Sequence, residues 1–263
     1  MTASSRDILF ALHDVLDYQG HYRRLYGDDA PTRELIDAIT EEAARFCEGE
    51  LAPLNRSGDE EGCTFSKGQV TAPAGFKAAY DKYIEGGWAS LCGEAEYGGQ
   101  GLPDSLGLVL EHLMAAANPA WTMYPALSRG VVEALEHHGS PEQKNEFLPK
   151  LLSGEWTGTM CLTEPHAGSD VGLVRTKAEV AADGSYRISG TKIFISAGEH
   201  DLSENIVHLV LARTPEAPEG TRGISMFIVP KFNLDGSRNG VVCGGIEAKM
   251  GIHGNATCML HFE

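Results

Sequence analysis

The sequence predicts an α+β protein: an all-helical N-terminal domain, residues 1–156, followed by an antiparallel β-barrel-like domain, residues 157–263. Three observations predict it. Apolar residues recur at helical spacing between capping residues from residue 5 to about 153. After Gly158 the apolar period changes to two. Helices come first and strands afterwards, which segregates the layers and argues against alternating βαβ units.

The elements follow in order. Thr32 is an N-cap for a helix to about Leu51, with Leu35, Ile36, Ile39, Ala43, Phe46 and Leu51 near one face. Pro73 leads into a helix over Phe76 to Ile84, closed by Gly86-Gly87, and Asp104 or Ser105 caps another running to about Ala117. Pro119 opens a segment ending at His138-Gly139. Ser140-Pro141-Glu142-Gln143 then supplies N-cap, N1 proline and acidic first turn for a helix to about Leu152. In the second half, Ala182-Asp183-Gly184-Ser185 is a hairpin turn between Glu179-Val180 and Tyr186-Arg187-Ile188. Strands are predicted at Ile193–Ser196, Ile206–Ala212, Ile224–Pro230, Val241–Glu247 and Ala256–Phe262. The last stops in mid-pattern, so a truncated chain is expected.

Composition excludes several functions. The chain has 263 residues and a net charge of −16, and its densest basic cluster is Arg23-Arg24, so nucleic acid is not an expected partner. No apolar run approaches the roughly 18 residues of a membrane span, and no secretory leader is evident, so a cytoplasmic protein without membrane contact is expected. The six cysteines are scattered without a CxxC pair and read as reduced thiols, and no HExxH spacing suggests a metal. His137-His138 suits the negative pole of a helix end.

The most informative stretch is Met160 to Gly172, MCLTEPHAGSDVG. A short strand enters a loop whose small residues leave backbone N–H groups open to a flat or phosphorylated ligand, with Thr163 and Ser169 as hydroxyl donors. Taken alone, the run also fits a plain strand-to-turn connection capped by Asp170. Thr163, Glu164, Pro165, Ala167, Gly168, Ser169 and Asp170 fill every specified position of a T-E-P-x-A-G-S-D run. With them the chain resembles the acyl-CoA dehydrogenase family. Supporting likenesses are the Gly-rich Glu96–Gly101, Gly190–Ser196 in place of G-x-K-x-W-I-T, and Lys249–Gly254 in place of K-x-G-x-R. The likeness covers about residues 30–263, and the start SRDILFALHDVL resembles the longer branch that includes the 3-(methylthio)propanoyl-CoA dehydrogenases.

The resemblance implies a helical domain, a β domain and a C-terminal helical bundle, the last missing here. It implies FAD-dependent oxidation of an acyl-CoA thioester to the trans-2-enoyl-CoA, with an electron-transferring flavoprotein as acceptor and a homo-oligomeric parent. Met160, Cys161, Leu162 and Thr163 would run along the flavin, Thr163 bonding its pyrimidine edge. Phe194 replaces the usual Trp as an apolar face, Ile195 follows it, and Ser196 replaces Thr as the hydroxyl reaching N5. Taken alone, Phe194 equally suits a core aromatic. Ser169 would meet the pantetheine or phosphate of coenzyme A, and Thr122 and Tyr124 would lie beside the acyl tail, although helix core explains them as well. Gly98–Gly101 would shape a helix entry near the substrate channel. Glu164 would fix its loop through hydrogen bonds. His253, in place of Arg, is expected to weaken an ion pair or an adenine-side contact, and Leu173 stands where a small residue is common. No catalytic residue is nominated, because the family's catalytic glutamate lies in the missing bundle; the isolated chain is expected to be inactive. Two alternatives stay open: an acyl-CoA oxidase of the same superfamily, and a non-catalytic binding or structural module. A DNA-associated flavoprotein of that superfamily is disfavoured by the acidity.

Overall fold

The computed structural model describes residues 5–263; the first four residues of the predicted helical domain lie outside them. Helix α1 (Ser5–Phe10) passes through a π turn at Ala11–Val15 into α2 (Tyr18–Tyr26). Thr32 Oγ1 accepts from Leu35 N at 3.3 Å and starts α3 (Arg33–Phe46). The helix predicted to end near Leu51 goes on. A π turn at Cys47–Leu51 carries it into α4 (Ala52–Glu61), with Pro53 at a first-turn position where its missing N–H costs nothing.

A hairpin that the helical pattern did not announce follows, β1 (Thr64–Ser66) and β2 (Gln69–Thr71). Lys67 and Gly68 both take positive φ, 49° and 79°, as a type I′ turn requires. Then come α5 (Phe76–Glu85), α6 (Asp104–Ala117), α7 (Pro119–His138) and α8 (Pro141–Leu152). Neither Asp104 nor Ser105 caps α6. Pro103 holds the N-cap place without a side-chain bond, and Ser105 Oγ is engaged with Tyr22 Oη at 2.6 Å. The helical core closes on Trp121, fully buried, whose Nε1 donates to Phe76 O at 3.2 Å and whose ring meets those of Phe46, Tyr80 and Tyr83.

Seven strands complete the chain: β3 (Trp156–Cys161), β4 (Lys177–Val180), β5 (Tyr186–Ser196), β6 (Asn205–Ala212), β7 (Ser225–Pro230), β8 (Val241–Ile246) and β9 (Thr257–Phe262). They form two sheets, ordered β3-β6-β7 and β4-β5-β9-β8. Every pairing is antiparallel except β3 with β6. Cys161, Ile188, Ile195, Val210, Cys258 and Leu260 share the core of this half. Helix α7 lies against β3 because position 158 is glycine. A Cβ there would stand 2.6 Å from Val131 Cγ2, and Gly158 N instead donates to Ser128 Oγ at 3.0 Å. Among the described residues no helix is long and apolar enough to cross a membrane.

Candidate functional site

Strand β5 runs beside the end of β3 without pairing to it throughout. Thr159 Oγ1 donates to Ser196 O at 2.7 Å, and Ile193 N donates to Thr163 O at 2.9 Å. These two bonds bring the Met160–Thr163 and Phe194–Ser196 segments together. Between them β5 carries a bulge, its register with β9 shifting between Lys192 and Ile195. Phe194 sits in the bulge at φ 58°, a left-handed conformation that costs a bulky residue energy and that recurs at functional sites.

The outcome is a local apolar surface. Phe194 is 58% exposed and Met160 37%, so Phe194 is no core aromatic. The half-buried Thr163 and Ser196 accompany them. Cys161 and Ile195 take the opposite side: alternation in β3 turns the first into the core and the β5 bulge turns the second, where they are at most 2% exposed, so only their backbone can face a ligand.

The loop after β3 is built around Glu164. Oε1 accepts from Thr176 Oγ1 at 2.5 Å, Thr176 N at 3.0 Å and Lys192 Nζ at 2.9 Å, and Oε2 accepts from Arg175 N at 2.8 Å. Burial pushes this carboxyl up, but the bonds from Thr176, Arg175 and Lys192 outweigh it and hold the group below its ordinary value. Asp170 Oδ1 caps the next turn, accepting from Gly172 N at 3.0 Å, and leaves Ser169 exposed. Arg213 underpins the far side. Its Nε donates to Val174 O at 2.8 Å, and Nη2 to Gly172 O at 2.6 Å and Gly220 O at 2.7 Å. Leu173 is 54% exposed there.

Thr122 and Tyr124 are not brought to this surface. Thr122 Oγ1 bonds back to Asn118 O at 2.9 Å. Tyr124 Oη donates to Gly254 O and accepts from Ala256 N, each at 3.1 Å, which ties α7 to the loop before β9. Both side chains are buried, and their polar atoms are spent on the fold. Their neighbours Pro125 and Ala126 instead line a cleft of about 720 Å³, its open mouth included, walled by Tyr83, Trp88, Met114 and Arg129. Arg129 is held there by Glu133 at 3.0 Å, Asp104 at 3.5 Å and Glu111 at 3.7 Å. The Gly-rich Gly98–Gly101 folds back on this wall, Gln100 N donating to Ser90 O and Gly101 N to Gly93 O, and hands the chain to α6.

His253 keeps an ion-pair geometry, with Nδ1 3.0 Å from Asp59 Oδ1. The Lys249 carbonyl, and then Asp59, raise its pKa. Among the described residues no group of three or more His, Cys, Asp or Glu side chains is placed to hold a metal ion.

Two features escaped sequence reasoning. Lys192 was legible only as part of a motif, although its place two and four residues after the inward Gly190 and Ile188 marks a lysine at a core position. Arg213 carries no sequence signal, because its four acceptors are carbonyls brought together by the fold.

This arrangement coincides with family-level similarity. The acyl-CoA dehydrogenase N-terminal domain family matches residues 34–155, and the acyl-CoA dehydrogenase middle domain family matches residues 159–263. The chain belongs to the acyl-CoA dehydrogenase family. Over 99% of its length it is 44% identical to a 3-methylmercaptopropionyl-CoA dehydrogenase of Ruegeria pomeroyi, and over 98% it is 41% identical to a butyryl-CoA dehydrogenase of Syntrophomonas wolfei. It spans 45% and 43% of those two proteins. The fold is shared with the acyl-CoA dehydrogenase of Bacillus anthracis, crystallised in complex with FAD, at TM-score 0.71 and 24% identity over 90% of this chain and 36% of that one.

Proposed function

We propose that residues 157–263, packed on the helical domain 1–156, form the flavin-facing and thioester-facing part of an FAD-dependent acyl-CoA dehydrogenase. The observation that carries this reading is the exposed pair Met160 and Phe194 flanked by the Thr163 and Ser196 hydroxyls. Large apolar side chains do not normally sit in the open on a strained bulge, and an isoalloxazine offers the matching shape: a flat apolar ring with polar edges.

FAD, when bound, would supply the acceptor for the hydride leaving the β carbon of the thioester. The chain's own residues would place and shield. Met160 and Phe194 exclude water from the ring face, and Thr163 and Ser196 orient its polar edge. Ser169, exposed beyond the Asp170 cap, is proposed to meet the pantetheine or phosphate part of coenzyme A. The acyl tail is proposed to pass Pro125 and Ala126 into the cleft beside Met114, with Thr122 and Tyr124 acting through the helix they stiffen. Glu164 is not assigned as the base for the α proton, because it is buried and four hydrogen bonds from Thr176, Arg175 and Lys192 hold it in its loop. We assign the base to the part of the relatives' length that this chain does not span, and an electron-transferring flavoprotein as acceptor. On this reading the chain alone binds flavin and does not turn over acyl-CoA. FAD added to the purified chain should co-elute with it and carry the visible flavin band; a colourless protein peak would overturn the reading.

A further inference from the structure

The bulge in β5 needs something to hold it open. Lys192 is the last β5 residue paired with β9, opposite Leu260, and pairing resumes at Ile195, opposite Cys258. In between, the chain abandons β9. Ile193 N donates instead to Thr163 O at 2.9 Å, and Phe194 turns outward at φ 58°. Left-handed backbone at a non-glycine residue is strained and persists only where its surroundings over-determine it.

The Lys192 side chain is where that determination concentrates. It is fully buried, and its Nζ donates to Leu162 O at 3.0 Å and to Glu164 Oε1 at 2.9 Å. Leu162 and Glu164 are the two neighbours of Thr163. One ammonium therefore grips the chain on both sides of the residue whose carbonyl receives the diverted strand. At the other end of the bulge, Thr159 Oγ1 holds Ser196 O at 2.7 Å.

Burying an ammonium is expensive, and burial does lower the Lys192 pKa even against its Glu164 partner. An apolar side chain of the same length would fill the space without that cost, as Ile188 and Ile195 do elsewhere on the strand. What an apolar residue cannot do is reach a carbonyl and a carboxylate at fixed distances at once. We propose that Lys192 is a positioning residue: it clamps Thr163 against the bulge of β5 and so fixes the spacing of the Thr163 and Ser196 hydroxyls. This rests on the proposed function only for what those hydroxyls bind; the clamp is a property of the chain itself.

The test is amide hydrogen exchange on the whole chain, comparing wild type with Lys192→Met and with Lys192→Met/Glu164→Gln. The double variant removes both charges, so neither ion is left buried without its partner as Lys192→Met alone would leave Glu164. The Ile193 amide should exchange at least about tenfold faster in the double variant, while amides between β6 and β7, such as those of Leu209 and Ile228, keep their wild-type rates. An Ile193 amide as slow as in wild type, or one that speeds up only in step with Leu209 and Ile228, overturns the proposal. A parallel titration with FAD should show weaker binding by about tenfold in the double variant; unchanged affinity with an opened Ile193 amide overturns the link to the hydroxyls. If wild type itself binds no FAD, the functional reading falls, and the exchange rates still decide the clamp.

Discussion

Lys192 Nζ lies 2.9 Å from Glu164 Oε1, with neither side chain more than 3% exposed. The carboxylate is the hub of the loop after β3, and its removal strands a buried cation. Glu164→Gln keeps the shape and deletes the charge. It should cost about 3–5 kcal/mol, read as a lower urea midpoint with an unchanged slope. A loss below about 1 kcal/mol would mean that the pair is far better solvated than its burial implies.

Acid should weaken the fold in two stages. His200 is fixed as the neutral tautomer, because Leu202 N donates to Nδ1 at 3.1 Å and Nε2 faces Thr157 Oγ1 at 3.1 Å. Burial lowers its pKa to about 3. Below its ordinary value of about 6.5 the unfolded chain takes up a proton that the folded chain refuses, so stability falls as pH drops from there towards 3. Glu164, depressed in the folded state, adds a second loss that begins below its ordinary carboxylate value. Melting temperature against pH should therefore decline from about pH 6.5; burial lowers His208 to about 4 and adds to the same stage, so His200→Asn should shrink the first stage without abolishing it. A profile level from pH 7 to 5 would contradict the His200 assignment.

Phe194 should trade stability for binding. Phe194→Gly removes a left-handed non-glycine residue worth about 1–2 kcal/mol and gives up little packing, since the ring is 58% exposed. The cofactor-free chain should gain about 1 kcal/mol in urea unfolding while losing affinity for FAD. Loss of stability would show that the ring packs better than its exposure suggests.

Gly158→Ala tests the seat of β3 on α7. The added methyl meets Val131 Cγ2 at 2.6 Å, so strand and helix must part. The expected cost is about 1–3 kcal/mol, with the Gly158–Ser128 bond lengthened. Calorimetry that finds no change would mean that Val131 moves aside freely.

Local chemistry explains what was legible in the sequence. The capping box at Ser140 and Gln143 needs only four residues, and both its bonds are present, at 3.2 and 2.9 Å. The hairpin turn before β5 announced itself through Gly184, which takes φ 86°. The join of α3 to α4 was not legible. The π turn there is secured from elsewhere in the fold, by Asn118 Nδ2 on Leu51 O at 3.4 Å. The parallel pairing of β3 with β6 joins segments some fifty residues apart, which no local pattern encodes. At the site, motif resemblance singled out Met160, Thr163, Phe194 and Ser196, whose juxtaposition is visible only in space. Strand parity could have assigned Cys161 to the core, but not Ile195, because the bulge after Lys192 reverses the alternation set by Ile188 and Lys192.

The Thr163 and Ser196 hydroxyls, beside Met160 and Phe194, are proposed to hold a flavin. A fluorescence titration of FAD into wild type and into Thr163→Val/Ser196→Ala tests it most directly. Saturable binding by wild type, weakened at least about tenfold in the double variant with the fold intact, is the predicted result. Equal affinity in the two proteins, or no binding by either, would contradict it.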